Sequence, residues 1–483
     1  MSTSTIVKST TTKRGSNSES NSSIGAKVKQ LQDTFKTRKT QDVEWRRTQL
    51  KALARMFREE TSAIQAAAYD DLHRCELDSY LVDVRGLEVE CEEALSNLDA
   101  WTEDVPASVT IKNFPSSSFL RPEPLGTVLI IGTWNFPMAT TVGVAISAIA
   151  AGNCVLMKPS EISPASAKLM AEILPKYLDT DAIAVITGGP EVAQEVLKEQ
   201  QFDHIFFTGS ERIGRLVYQA AALKLTPVTL ELGGKSPTVV DDTANLEVTA
   251  RRVLWAKVMN CGQICIAPDY ILVFKSVAPA FYETLQRVYA DFFPNGEPAD
   301  DYGRIVDDRN TGRLLTMLEE KESIRGKILV GGTFKREDKY IVPTVFVGTK
   351  PEAKVMQDEI FGPLLPILEV DDLDEAIDFI TTRPKPLAAY MFSTNSEAIE
   401  KFMDQTTSGN TLINDVVVHC SEPGLPFGGV GASGIGCAHG YFGFKTFSHM
   451  KGVLHKSSMS CLDVSIRYPP YNENKAYWTK KII

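Results

Sequence analysis

The stretch AIAVITGGPEVAQEVLKEQQFDHIFFTGSERIGRLVYQAA, residues 182–221, sets two short apolar runs, AIAVITGG and DHIFFTG, each ahead of a segment with helical spacing. Short apolar runs bounded by glycine read as buried strands, whereas PEVAQEVLKE and SERIGRLVYQAA space their apolar residues three and four apart, as amphipathic helices do. A strand–helix–strand–helix rhythm predicts a parallel, doubly wound sheet with helices on both faces. Upstream, TVLIIG, NCVLMK and SPASAKLMAEIL extend the same pattern. From about residue 236 a second block repeats it: SPTVVDD, a helix near 245–259, YILVFKS, a helix near 278–292, then AAYMFST and NTLINDVVVH. Two α/β units are expected, with the cleft between them as the default place for chemistry.

The flanks differ in character. Residues 25–100 read as helical, with Leu31, Phe35, Leu50, Leu53 and Met56 spaced among long charged residues. The segment DVPASVTIKNFPSSSF, with its two prolines and serine run, reads as an extended excursion from the core. The first 24 residues are rich in Ser and Thr and read as a disordered tail.

Composition excludes several classes. At 483 residues the chain exceeds a usual single core, and 43% hydrophobic with 23% charged residues is enough apolar material for large cores in a globular enzyme. The net charge of -10, with basic residues scattered, argues against a nucleic-acid footprint. Eight cysteines spread thinly, without a secretory h-region, point to reduced thiols and a cytoplasmic location. The longest apolar runs fall short of the roughly 18 residues of a membrane span, so no transmembrane segment is expected in the chain.

Two glycine motifs mislead. Gly429, Gly431 and Gly434 fit G-x-G-x-x-G but do not run from a strand, and read as a close-packed or flexible loop. Gly234-Lys235-Ser236 lacks a phosphate loop's first glycine, because position 229 is Thr. In FTGSERIG, by contrast, Gly209 permits close approach and Ser210 starts a helix with an apolar face of Ile213, Leu216 and Val217. Its free N–H groups could hold a pyrophosphate, and a simple capped turn is the alternative. Lys158 and Glu161, in LMKPSE, stand where they could reach ribose hydroxyls or form a solvated ion pair.

NCGQICIAPDY, residues 260–270, places Cys261 and Cys265 four residues apart in a loop. Structural zinc needs about four ligands, and neither a second Cys/His pair nor a cluster among the six histidines supplies them, so no metal site is expected. The thiols read either as packed core residues or as a nucleophile with a bystander. Glu231 closes the apolar run VTLEL, where burial would raise its pKa toward that of a general base; an ion-pair role is the alternative. Asn135, in IIGTWNFP, carries an amide donor suited to an oxyanion, or serves as a turn residue.

Taken in order, GTWNFP, LMKPSE, FTGSERIG, LELGGKSP, NCGQICIAPDY, DEIFGPLLP and LPFGGVGASG resemble the motifs of aldehyde dehydrogenases over about residues 25–456. The segments INDVVVH, HGYFGFKTFSHMKGVL and RYPPY look like the class-three, fatty-aldehyde branch. The resemblance implies an α/β fold with a Rossmann-like cofactor domain (25–102 and 120–231) and a second α/β catalytic domain (232–440). It also implies a small β bridging element for oligomerisation (103–119 and a strand near 441–456), followed by a tail (457–483). It assigns the nucleophile to Cys265, the oxyanion hole to Asn135 and the Cys265 N–H, and water activation to Glu231. It places the cofactor, NAD with NADP possible, against Trp134, Lys158, Glu161, Gly209, Ser210, Glu359 and Phe361. It further implies a thioester hydrolysed to the acid, a medium or long aliphatic, aromatic or apocarotenoid aldehyde as substrate, and a homodimer. A catalytically silent or thiol-redox-sensing protein that keeps this fold is the competing expectation.

Overall fold

The computed structural model describes residues 21–296, 301–463 and 465–482. Its centre is two parallel sheets. The first, in spatial order, runs Gly434–Ile435, Val228–Glu231, His204–Thr208, Thr127–Ile131, Cys154–Lys158 and Ile183–Val185, all parallel but the first. The strands Thr127–Ile131 and Cys154–Lys158 are buried throughout, as continuous apolar runs covered on both faces must be. The chain winds outward from Thr127–Ile131 in both directions, so a crevice opens at its carboxyl end beside Thr208, the usual binding position in such folds.

The second sheet orders Lys327–Val330, Thr344–Val347, Leu364–Val370, Tyr270–Phe274, Pro237–Val240, Ala388–Phe392 and Asn410–Ile413, with only the Lys327–Val330 edge antiparallel. The expected α/β class with two sheets is therefore observed. A third, outlying antiparallel sheet joins Val105–Ala107, Ser116–Pro124 and Ser448–Lys456, pairing Ser448 with Pro124 through to Lys456 with Ser116.

Four expectations need correction. Residues 1–20 of the expected N-terminal tail lie outside the described residues, but 21–24 already belong to the helix Asn21–Lys36. Ile24 there is fully buried, and the helix packs on the strand Cys154–Lys158. The strand expected near 441–456 begins only at Ser448; Gly440–Thr446 is a helix, fixed by Trp101 against Phe444 at 5.5 Å between ring centres. The excursion expected to end at 119 continues as strand to Pro124. In the helix Glu211–Ala222, Leu216 is 52% exposed; the buried face is Gly214, Val217 and Ala221.

The Gly429–Gly434 loop is close-packed. A Cβ on Gly429 would lie 2.1 Å from the Ser433 carbonyl oxygen, and Gly434 pairs with Glu231. That tight turn closes the first sheet over the end of the strand that carries Glu231.

Candidate active site

Strand ends of the first sheet position one side of the site. The chain leaves Ile131 through Gly132 into Thr133–Phe136, where the Trp134 ring meets Phe361 edge-on at 5.2 Å and 75°. Lys158 ends its strand buried, and its Nζ donates to Glu161 Oε2 at 3.1 Å and to the Pro159 carbonyl at 3.3 Å. Beside this pair a groove runs between Pro159, Glu161, Pro164, Thr187 and Gly188.

At the neighbouring strand end, Gly209 is pressed on Phe207, where a Cβ would lie 2.6 Å from the ring. Ser210 is the N-cap of Glu211–Ala222 with no side-chain hydrogen bond to the helix, so first-turn N–H groups keep their capacity for an anion. Glu359 closes the far side: its Oε1 is buried with no partner, and a Cβ on Gly233 would lie 2.5 Å from either carboxylate oxygen. Burial, with Asp269 nearby, pushes the Glu359 carboxyl up to about 8. Uncapped helix N–H groups, a carboxylate with one unpartnered oxygen and a groove at the strand ends form a donor and acceptor set that fits a dinucleotide's phosphates and ribose hydroxyls.

The second thiol stands across from these groups. Asn260, Cys261 and Gly262 take three consecutive left-handed conformations, with φ of 46°, 54° and 67°. For Asn and Cys such backbone costs of order 1–3 kcal/mol each unless the surroundings over-determine it. They do. Asn260 Nδ2 donates to the Asn135 carbonyl at 2.9 Å. Gln263, fully buried, donates from Nε2 to the carbonyls of Asn260 and Arg304, both at 3.0 Å, and accepts from the Val306 N–H at 3.0 Å. Gly262 is required where it sits, because a Cβ would lie 2.4 Å from the Gly362 carbonyl oxygen. The loop therefore presents Cys265 to a cavity of about 180 Å³ with largely apolar walls, including Phe136, Ile264, Val417 and Phe427.

Glu231 lines the same cavity. Its backbone is held in the ladder between Thr208 and Gly434, and its carboxylate is buried with neither oxygen hydrogen-bonded. Burial alone raises its pKa well above the ordinary carboxyl range, which makes it a strong base once ionised. The Cys265 thiol is pushed up by burial first and by the charges of Glu359 and Glu231 next, while its own backbone N–H points to the sulfur. Asn135 is buried, and its Nδ2 donates to the Gln263 carbonyl at 3.0 Å, which ties the amide to the loop that carries the thiol.

Cys261 faces elsewhere. It lies in the core cluster of the second sheet and bonds Tyr302, whereas the thiol that shares the cavity with Cys265 is Cys420. Among the described residues no group of three or more His, Cys, Asp or Glu side chains is arranged to hold a metal ion.

Several positioning groups escaped the sequence reading. Lys235 pairs with Asp269 and donates to the carbonyls of Val355 at 2.8 Å and Asp358 at 3.0 Å. Asp269 accepts from the Ile360 N–H at 2.9 Å, and Arg313 donates to the Glu359 and Ile360 carbonyls at 3.2 and 2.7 Å. Buried Lys257 donates to the Gly362 carbonyl at 3.2 Å. Together they hold the turn through Glu359 and Phe361, whose left-handed φ of 46° needs such support. Only the position of Lys235 beside the glycines of LELGGKSP hinted at this.

The family model described as "Aldehyde dehydrogenase family" matches residues 9–453. The chain is 43% identical to Aldehyde dehydrogenase family 3 member A2 of Rattus norvegicus, covering 94% of this chain and 93% of that one. It is also 43% identical to the rat protein named "Aldehyde dehydrogenase, dimeric NADP-preferring", over 93% of this chain and 98% of the other. Among solved structures, the substrate-bound state of Staphylococcus aureus AldH superposes with a TM-score of 0.90 at 39% identity, covering 95% of this chain and 99% of that one. A thiol and a buried carboxylate in one cavity, with a dinucleotide-shaped set of groups at strand ends of the first sheet, agree with these likenesses: the chain belongs to the aldehyde dehydrogenase family of oxidoreductases, in its class-three branch.

Proposed function

We propose that this protein oxidises an apolar aldehyde, medium or long aliphatic, aromatic or apocarotenoid, to the carboxylic acid with NAD or NADP. The observation that carries this reading is that Cys265 and Glu231 line one largely apolar cavity, with Asn135 bonded to the loop that presents the thiol. Trp134, Lys158, Glu161, Gly209, Ser210, Glu359 and Phe361 would hold the dinucleotide, which when bound accepts the hydride.

The remaining work falls to side chains of this chain. The Cys265 thiol gives up its proton to solvent, and its sulfur adds to the carbonyl carbon, forming a C–S bond while the carbonyl π bond opens to an oxyanion. Asn135 Nδ2 and the Cys265 backbone N–H are the donors for that oxyanion, a role worth several kcal/mol in a site of low dielectric. After loss of hydride the sulfur carries a thioester. Glu231 takes a proton from water, the hydroxide adds to the thioester carbon, and collapse breaks the C–S bond to release the acid and return the thiol.

The apolar walls favour hydrocarbon aldehydes through the burial of their surface. Glu161, paired with Lys158 at the groove, favours free ribose hydroxyls and hence NAD, while the rat relative is named for NADP. A homodimer is part of the reading. It is supported by that relative's "dimeric" name and by the outlying sheet, on which Leu120 and Leu454 stand 37% and 48% exposed.

The test is steady-state kinetics on straight-chain aldehydes from short to long, benzaldehydes and an apocarotenal, with NAD and NADP in parallel and the acid product quantified. Reduced cofactor and acid should form one to one, with kcat/KM rising with apolar length. An enzyme that forms neither from any of these aldehydes would overturn the reading.

A further inference from the structure

The walls of the Cys265 cavity are apolar but for a few groups, and one of these has no part in the chemistry above. Glu90, on the helix Gly86–Thr102, and His439, at the N-cap of Gly440–Thr446, both line the cavity and pair at 3.1 Å between Oε1 and Nδ1. Apart from the thiols and Glu231, they are its only ionisable lining residues among the described residues.

Burial would depress the imidazole, but the charge of Glu90 and its hydrogen bond outweigh that and raise His439 above its ordinary range. The pair is a strongly polar spot in an otherwise apolar wall.

The placement is built. His439 holds a left-handed backbone, φ 72°, and its carbonyl accepts from the Gly443 N–H at 2.9 Å. Its ring stands edge-on to Phe427 at 5.3 Å and 69°, which fixes its plane. Gly143, opposite, leaves the carboxylate uncovered: a Cβ there would lie 3.6 Å from Glu90 Oε2. About 29% of the His439 side chain and 31% of the Glu90 side chain stay accessible. With Nδ1 committed to Glu90, Nε2 has no hydrogen-bond partner among the described residues. A polar group with an open valence in an apolar cavity rewards a ligand that satisfies it and penalises one that does not.

We propose that Glu90 and His439 form a hydroxyl subsite that selects aldehydes carrying a hydroxyl remote from the carbonyl over the unsubstituted aldehyde of the same length. A hydroxyl suits the site in either state, because it accepts from Nε2–H of the imidazolium and donates to Nε2 of the neutral ring. A carboxylate tail would meet Glu90 and is disfavoured. This inference rests on aldehyde oxidation at Cys265.

The experiment measures kcat/KM for straight-chain alkanals and hydroxyalkanals of matched length in the wild-type enzyme, His439→Phe and Glu90→Gln. The expected wild-type preference for the best-placed hydroxyl is roughly tenfold or more, the scale of one hydrogen bond to a charged group. His439→Phe should bring that ratio near one and Glu90→Gln, which leaves Nε2 in place, should lower it only in part, with kcat/KM for the unsubstituted aldehyde within about threefold of wild type. A wild-type enzyme that oxidises alkanals without preference, or a preference that survives both substitutions, overturns the subsite and leaves aldehyde oxidation standing. Inactivity on every aldehyde overturns both.

Should His439→Phe fail to fold, a wild-type scan that walks the hydroxyl along the chain decides the matter. One favoured position supports a fixed subsite, and a uniform effect of polarity overturns it.

Discussion

Cys261 and Cys265 stand at opposite ends of one loop turn and live in different chemical worlds. Cys261 is 1% exposed, bonded to Tyr302 and packed in the core of the second sheet. Cys265 opens on a cavity together with Glu231 and within the electrostatic reach of Glu359. Both thiols are raised above the ordinary range by burial, Cys261 to about 12, so thiol acidity does not separate them. What separates them is company. One sulfur lies among aromatic and aliphatic neighbours, and the other shares a cavity with the Glu231 carboxylate and has its own backbone N–H beside it. Three left-handed residues and Gln263 impose these different surroundings on the loop, and the proposed difference in reactivity follows from them.

The largest effect expected is at Cys265. Cys265→Ala should lower aldehyde-dependent reduction of NAD(P) by at least about a thousandfold, because it removes the bond-forming atom. Retained turnover would erase the distinction between the two thiols.

Next comes Glu231→Gln, which keeps shape but removes the base; turnover should fall by roughly a thousandfold, and intact-protein mass spectrometry should show the acylated enzyme. The pH profile adds a sign. Glu231 is raised above the ordinary carboxyl range, and only its ionised form accepts a proton, so wild-type turnover should fall as pH drops through that raised range. The Gln variant should lack that limb, and a limb that persists would assign it to another group.

Asn135→Ala should cost roughly a hundredfold in kcat with a smaller change in KM, the pattern of an oxyanion donor. Its amide also donates to the Gln263 carbonyl, so part of the loss would come from a loosened loop. A variant that weakens KM alone would mark Asn135 as a loop support and not as a partner of the reaction.

Much of this could be read from the chain, for physical reasons that differ by element. The core strands announce themselves because Thr127–Ile131 and Cys154–Lys158 are covered on both faces and so are apolar without interruption. The Gly440–Thr446 helix did not, because GYFGFKT contains two poor helix formers and is held by aromatic packing on Trp101. The start at Asn21 was hidden for a similar reason: NSSIGAKV is polar in composition, and Ile24 becomes a core residue only when the first sheet is beneath it. At the site, Cys265, Glu231 and Asn135 were singled out by their motifs; the structure places the first two in one cavity and bonds Asn135 to the Gln263 carbonyl. Asn260, Lys235, Asp269 and Arg313 were not, since their partners lie across the fold, as Asn260 with the Asn135 carbonyl shows at 2.9 Å. Hydrogen bonds between distant segments leave no local pattern.

The smallest effect expected, Cys261→Ala, tests the comparison from its quiet side. The sulfur fills space beside Tyr302 and near Gly303, where a Cβ would lie 3.3 Å from Sγ. Removing it takes away one sulfur atom and alters one hydrogen bond, while Tyr302 still donates to the Ile341 carbonyl at 2.9 Å. Alanine bears the left-handed φ of 54° no worse than cysteine, so backbone strain should not change. The cost should be about 1–2 kcal/mol of stability, read as a lowered denaturation midpoint, with kcat within about twofold of wild type. If catalysis collapsed while the midpoint held, the two thiols would be coupled through the loop, and the division between a packing sulfur and a reacting one would fail.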